Sequence, residues 1–294
     1  MNYSVIVPYK DIVDLVVRAV NSVPDRADIE IIVINNGTTD LPVSLFADRS
    51  NIRILSAAQG KGAGAARNVG IELAKGKWLL MLDADDFFTP KAFDSMDQYV
   101  SSESDIVFFY TTSCDSDTLA LSDRHHDTNE LIDAYLQNGD EGGLRYGWSS
   151  PWAKMIKRSL VMEHAIRCDE THVANDVLFS VKTGYQAKRI EATKETVYCV
   201  TTRQGSLTMT PSLKNLNERI DTFIRFNTFL KEHHIKEYRK SIMFLIRTIA
   251  LSYGYREAMK TLWRSIRFGN NPFIGITRWI KTAQKIKHHE DCNH

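Results

Sequence analysis

The chain has 294 residues, 43% hydrophobic and 25% charged, a globular composition with enough apolar residues for a sizeable core. No run reaches the ~18 uninterrupted apolar residues of a membrane span, nothing at the N-terminus reads as a signal peptide, and Cys114, Cys168, Cys199 and Cys292 lack the paired spacing of a disulfide frame or zinc site. The net charge of +1 hides an asymmetry: residues 1–211 carry 21 Lys and Arg against 29 Asp and Glu, whereas residues 212–294 carry 16 against 7 and should favour anionic partners.

In chain order, Tyr3 to Pro8 is a β-branched run stopped by a proline, and reads as a buried first strand. Ile12 to Val23 repeats apolar residues at helical spacing. Ile29 to Ile34 predicts a second strand, halted by the turn Asn35-Asn36-Gly37. A piece of helix at Leu45 to Asp48 precedes a third strand at Ile52 to Leu55. A helix over Ala63 to Ala74 then leads into a fourth strand, Trp78 to Leu82, which runs into Asp83-Ala84-Asp85-Asp86. Helix from about Lys91 to Val100 and a strand at Ile106 to Tyr110 follow. A helix at Asn129 to Asn138 stands within a polar stretch, 115–143, and order returns at Ser150-Pro151-Trp152-Ala153-Lys154. After Pro211 the stripes Ile220, Phe223, Ile224 and Leu230, then Ile242, Leu245, Ile246 and Ile249, predict helices.

Strands alternating with helices predict an α/β fold around a doubly wound, mostly parallel sheet. The boundary falls near residue 211, giving a domain over 1–211 and a basic helical module over 212–294. Ligands of such sheets bind outside the carboxyl ends of the strands, where Tyr9-Lys10, Asn35-Asn36 and Asp83 to Asp86 stand together.

The acidic run carries the strongest chemistry. Three carboxylates within four positions repel one another unless a cation gathers there, and Mg²⁺ or Mn²⁺ takes carboxylate oxygens plus substrate phosphates. The competing reading is an acidic turn that caps the next helix. The segment Gly60 to Gly70 offers glycines for close backbone approach and a helix N-terminus for phosphate, with Arg67 one turn in; the alternative is a turn made for close packing. A dinucleotide fingerprint is set aside, because Arg67 stands where its third glycine belongs and no glycine follows the first strand. Trp152 could stack on a sugar or belong to the core. Asp176, before an apolar run, reads as a helix cap or a general base. Arg203 reads as a diphosphate clamp or a surface cation.

In this order the segments resemble a family 2 glycosyltransferase of the GT-A fold. The matching stretches are Ser4-Val-Ile-Val-Pro-Tyr9, Glu30 to Asp40, Ala66-Arg-Asn-Val-Gly70, Leu82-Asp-Ala-Asp-Asp86, Trp152-Ala-Lys154, Asn175-Asp-Val177 and Arg203, over residues 3–208. The resemblance implies a Rossmann-like nucleotide-sugar domain with a C-terminal helical extension, of the type found in bacterial surface polysaccharide biosynthesis. Pro8 and Tyr9 would line the base pocket, Asn36 and Arg67 contact the base, Asp83 hold the ribose and Asp85 ligate the divalent metal. Asp176 would be the base that deprotonates the acceptor hydroxyl, giving inversion in a single displacement. Arg203 would steady the departing diphosphate, while Trp152 and Lys154 would meet the acceptor. The donor expected is a UDP-sugar, and the acceptor a glycan or a lipid-linked one. Two positions depart from the family pattern: Asn35-Asn36 replaces an Asp-Asp pair, and Asn175 replaces a Glu. An amide still pairs with a pyrimidine edge, but the departures give weight to an alternative, a catalytically inactive relative serving as a membrane-associated binding or assembly subunit.

Residues 255–287 mix Trp263, Phe268, Phe273 and Trp279 with eight Lys and Arg, which suits a helix lying on an anionic membrane. The expectation is a cytoplasmic protein, peripheral on the inner face of the cell membrane. A solvated helical bundle is the plainer reading, and a homodimer through these helices is a third. Nucleic acid is not expected, because the aromatics form no recognisable binding module.

Overall fold

The computed structural model describes residues 1–57, 61–203, 212–269, 271 and 274. Gly60 and the loop after Arg203 lie outside these, as do Phe273, Arg278, Trp279, Lys281, Lys285, Lys287 and Cys292. The chain divides into two compact units, Met1–Thr210 and Pro211–His294.

The first unit is built on an eight-stranded, mostly parallel sheet of order β3-β2-β1-β4-β7-β6-β8-β5. Its strands are β1 (Tyr3–Tyr9), β2 (Ile29–Asn35), β3 (Ile52–Ser56), β4 (Trp78–Met81), β5 (Phe87–Phe88), β6 (Ile106–Asp115), β7 (Lys154–Lys157) and β8 (Ile190–Thr202). Every residue of β1, β2 and β4 is buried, so these strands are covered on both faces and read as continuous apolar runs. The helices α1 (Val13–Asn21), α2 (Gly62–Leu73), α3 (Ala92–Asp97), α4 (His126–Asn138), α5 (Arg158–Glu163) and α6 (Val177–Gln186) complete the unit. The expected helix near residue 45 is a single 3-10 turn, Val43–Phe46.

From β1 the chain builds outward through β2 to β3, then crosses back to lay β4 on the other flank of β1. The winding therefore reverses between β1 and β4, and the crevice at their carboxyl ends is where a ligand of such a sheet binds. β7 runs antiparallel between β4 and β6, and β8 runs parallel to β6 with register shifts around Tyr110.

The second unit contains α7 (Leu213–Glu232), α8 (Met243–Tyr253) and α9 (Tyr255–Arg267). Its core gathers Leu216, Ile220, Ile224, Ile242, Leu245, Ile246, Ile249 and Ala258. Ser212 caps α7 by accepting from the Asn215 amide. Among the described residues no helix is long and apolar enough to cross a membrane.

Candidate functional site

At the end of β1, Tyr9 is fully buried and donates its hydroxyl to the Thr39 carbonyl at 3.2 Å. Asn35 reaches the same carbonyl at 3.0 Å and accepts from the Gly37 amide at 2.9 Å. Asp11, with φ of 56°, accepts from the Thr38 and Thr39 amides at 2.8 and 2.7 Å, and those bonds hold its carboxyl below the usual range. The turn after β2 is thus fastened from three sides. Beside it the Asn36 side chain is 5% exposed and makes no hydrogen bond among the described residues. Its amide atoms are not among the buried side-chain atoms left without a partner.

Behind the end of β4, Arg67 rises from the first turns of α2, 5% exposed. Its Nη2 donates to Asp83 Oδ1 at 2.5 Å and its Nη1 to Asn175 Oδ1 at 2.6 Å. Burial opposes its charge, but Asp83 and Asp176 outweigh that and raise the guanidinium's pKa. Its Nε is buried with no partner. Asn175 thus supports Arg67 through a hydrogen bond where a carboxylate would add a second charge. The neighbouring Asn68 exchanges two hydrogen bonds with the Cys168 backbone, at 3.0 and 2.8 Å.

Helix α2 lies hard against the segment that carries Asn175. A methyl group at Gly64 would stand 1.9 Å from the Asp169 carbonyl oxygen, and one at Gly62, whose φ is +77°, 2.4 Å from that of Thr171. Both glycines are therefore consumed by packing of the chain on itself. For these two positions the close-packing alternative is the one the geometry favours.

The acidic turn is held from below. Asp86 is buried, accepting from the Tyr198 hydroxyl at 2.9 Å and the Thr201 amide at 2.7 Å. Burial first, then Asp85 and Asp83, push its carboxyl well above the usual range. Tyr198 Oη also accepts from the Asp83 amide at 3.1 Å. Thr201 Oγ1 and Arg18 Nη2 donate to the Asp85 carbonyl at 2.9 and 2.6 Å. The Asp85 carboxylate, in contrast, takes no hydrogen bond from another residue among the described residues; burial and Asp83 raise its pKa, and Arg203 and Arg124 oppose them. Nε of Arg203 is buried and unpartnered. Asp86 is thus the structural member of the trio, and Asp85 the open one.

Asp176 occupies the N-cap position of α6 without a side-chain capping bond, so it complements the helix dipole by position but does not cap the helix with its carboxylate. Its carboxyl is raised by burial and by Asp83, against the pull of Arg67 and Lys154. Trp152 stacks on Tyr198 at 5.5 Å and 11°. Lys154 is 5% exposed, with Nζ donating to the Trp148 carbonyl at 3.0 Å and lying 5.2 Å from the Phe108 and Trp148 ring centroids. Hence Arg67, Asp83, Asn175 and Asp176 share one network, and Asp85, Arg203, Trp152 and Tyr198 adjoin it, whereas Pro8 and Tyr9 are buried at the end of β1, with Asn36 just after β2. Arg18, Asp11, Tyr198 and Thr201 were missed from sequence. An arginine on the inward side of α1 was the one available signal, since the others act through distant pairings.

For a divalent metal the fit is partial but chemically apt. Among the described residues no cluster of three His, Cys, Asp or Glu side chains is gathered for an ion. Asp85 offers one open carboxylate, so an ion held there would complete its shell with substrate phosphate and water, as Mg²⁺ characteristically does.

Residues 4–165 match the family model described as Glycosyl transferase family 2. EpsH of Bacillus subtilis (strain 168) is 27% identical over 226 residues, 73% of this chain and 64% of that protein. EpsJ of the same organism, an uncharacterized glycosyltransferase, is 26% identical over 82% of this chain and 69% of its own. ExoU of Rhizobium meliloti (strain 1021), a succinoglycan biosynthesis protein, is 28% identical over 57% and 52%. The chain thus spans about two thirds or less of these relatives' lengths. In structure it is similar to S. aureus TarS 1-349 crystallised with UDP-GlcNAc, with a TM-score of 0.71 and 17% identity over 91% of this chain and 81% of that one. The fold is accordingly GT-A.

Proposed function

The chain belongs to glycosyl transferase family 2, and from that premise we propose that it moves a sugar from a nucleoside-diphosphate donor, a UDP-sugar, to a hydroxyl of a glycan or lipid-linked acceptor with inversion. One observation carries the proposal: a buried arginine ties Asp83 to Asn175, next to Asp176, at the point where the sheet reverses its winding. The relatives in polysaccharide synthesis and the UDP-GlcNAc complex of a similar fold support the substrate class.

In this reading Asn36 and Arg67 grip the base, and Asp83 the ribose, in the crevice between β1 and β4. Asp176 accepts the acceptor hydroxyl's proton, and its raised affinity for protons makes it a better base at neutral pH. The freed oxygen attacks the anomeric carbon opposite the diphosphate, a carbon–oxygen bond forms as the bond to the diphosphate breaks, and configuration inverts. Arg203 meets the charge growing on the leaving diphosphate. Asp85 would hold Mg²⁺ or Mn²⁺, which supplies further charge neutralisation for that diphosphate.

Titration of nucleoside diphosphates against thermal stability tests the site. At ~100 times its dissociation constant a ligand stabilises by about 2.7 kcal/mol. UDP with Mn²⁺ should raise the transition of the wild type, and Asp85→Ala should lose the metal-dependent share. If UDP shifts neither protein, the site is not a nucleotide site.

A further inference from the structure

The second unit presents an outward face that its own core does not use. On α9, Tyr255, Met259, Trp263 and Ile266 follow at spacings of four, four and three, so they share one side of the helix. Tyr255 is 81% and Trp263 64% exposed, while Ala258, Thr261 and Ser265 on the opposite side are buried. Phe268, just past the helix end, is also exposed, and on α8, which packs against α9, Phe244 and Leu251 also face outward.

The charges around these side chains are nearly all of one sign. From Met243 to Phe268 the sequence holds five Lys and Arg and a single acid, Glu257, which is paired with Lys260 at 2.7 Å. Arg264 turns inward to Asp221 at 3.1 Å. Arg247 and Arg256 are exposed with no ion pair among the described residues, and the Arg267 guanidinium lies 5.6 Å from the Trp263 ring centroid. Large apolar side chains rimmed by cations lack an aqueous reason to stand exposed.

We propose that this α8–α9 face docks on an anionic membrane surface, with Tyr255, Met259, Trp263 and Ile266 entering the headgroup layer while Arg247, Arg256, Lys260 and Arg267 meet lipid phosphates. Charge selects this occupant. A second copy would set like-charged rims against each other. The chain's own residues from 275 onward carry four Lys and Arg against two acids and would do the same. An anionic bilayer is complementary in both respects. The proposal concerns the second unit alone and is independent of the transfer reaction.

Cosedimentation of the full chain with vesicles, combined with hydroxyl-radical footprinting, tests it. The chain should bind vesicles of phosphatidylcholine and phosphatidylglycerol in equal parts and should ignore pure phosphatidylcholine. Replacing Arg256, Lys260 and Arg267 with Gln should weaken binding about fivefold per cation removed. Trp263→Ser with Tyr255→Ser, both at exposed positions, should abolish it. Met259 and Trp263 should be readily oxidised in dilute free protein and shielded once vesicles are added. Binding that is indifferent to phosphatidylglycerol or to these replacements overturns the proposal. So does shielding in dilute protein without vesicles, which would assign the face to the chain's own C-terminal residues, and so does shielding that rises with protein concentration, which would assign it to a second copy.

Discussion

Asp176 and Asp86 show how one residue type serves opposite ends. Asp86 takes one donor on each oxygen and fastens a turn, whereas Asp176 sits half-buried at a helix start whose cap it does not supply. Asp176→Asn should therefore lower turnover about a hundred- to ten-thousand-fold with donor affinity nearly unchanged. The same change should stabilise the fold at neutral pH. Burial raises the folded-state pKa of Asp176 above its unfolded value, so between the two values the native state binds more protons and stability falls as pH rises. The variant's advantage, on the order of 1 kcal/mol, should appear above the folded pKa and vanish below the unfolded one, near pH ~4. Paired thermal melts across that range check both signs.

Elements set these side chains in place. α2 brings Arg67 to Asp83 only because Gly62 and Gly64 let it touch the segment before α6. Gly64→Ala should cost about 1–3 kcal/mol and weaken nucleotide binding disproportionately, measured by melts and titration together. β8 contributes in a similar way: Tyr198→Phe keeps the ring that stacks on Trp152 and removes the hydroxyl shared by Asp86 and the Asp83 amide. Leaving those groups short of a partner should cost about 1–3 kcal/mol, and kcat should fall further than donor affinity.

The strands β1, β2 and β4 were legible because buried parallel strands carry apolar runs, as in Ile31-Ile-Val-Ile34, and β3 by its alternation of Ile52, Ile54 and Leu55 with polar neighbours. β8 was not, since its middle, Glu191 to Glu195, is charged and half exposed. β7 was not either, because it is four residues long and begins with a buried lysine. Asp85 and Arg67 announced themselves by composition, whereas the partners of Asp86 depend on pairings across 112 and 115 residues that no local pattern encodes.

At the scale of the molecule, charge is segregated: a net of −8 over residues 1–211 and +9 over 212–294, with a sequence pI of about 7.7. Near pH 8 the whole chain is close to neutral, yet the basic part should still hold it on a cation exchanger. Elution should move to lower salt when Arg256, Lys260 and Arg267 become Gln, because fewer fixed cations displace fewer counterions.

The bond from Thr201 to Asp86 also sets a schedule for synthesis. Since the acidic turn is anchored by residues more than a hundred positions later in the chain, a nascent polypeptide already displaying β1 to β4 has no finished pocket until Thr201 clears the ribosome. Prematurely terminated chains that stop short of β8 should then be inert toward the cell's nucleotide pool, whatever part of the sheet they have formed.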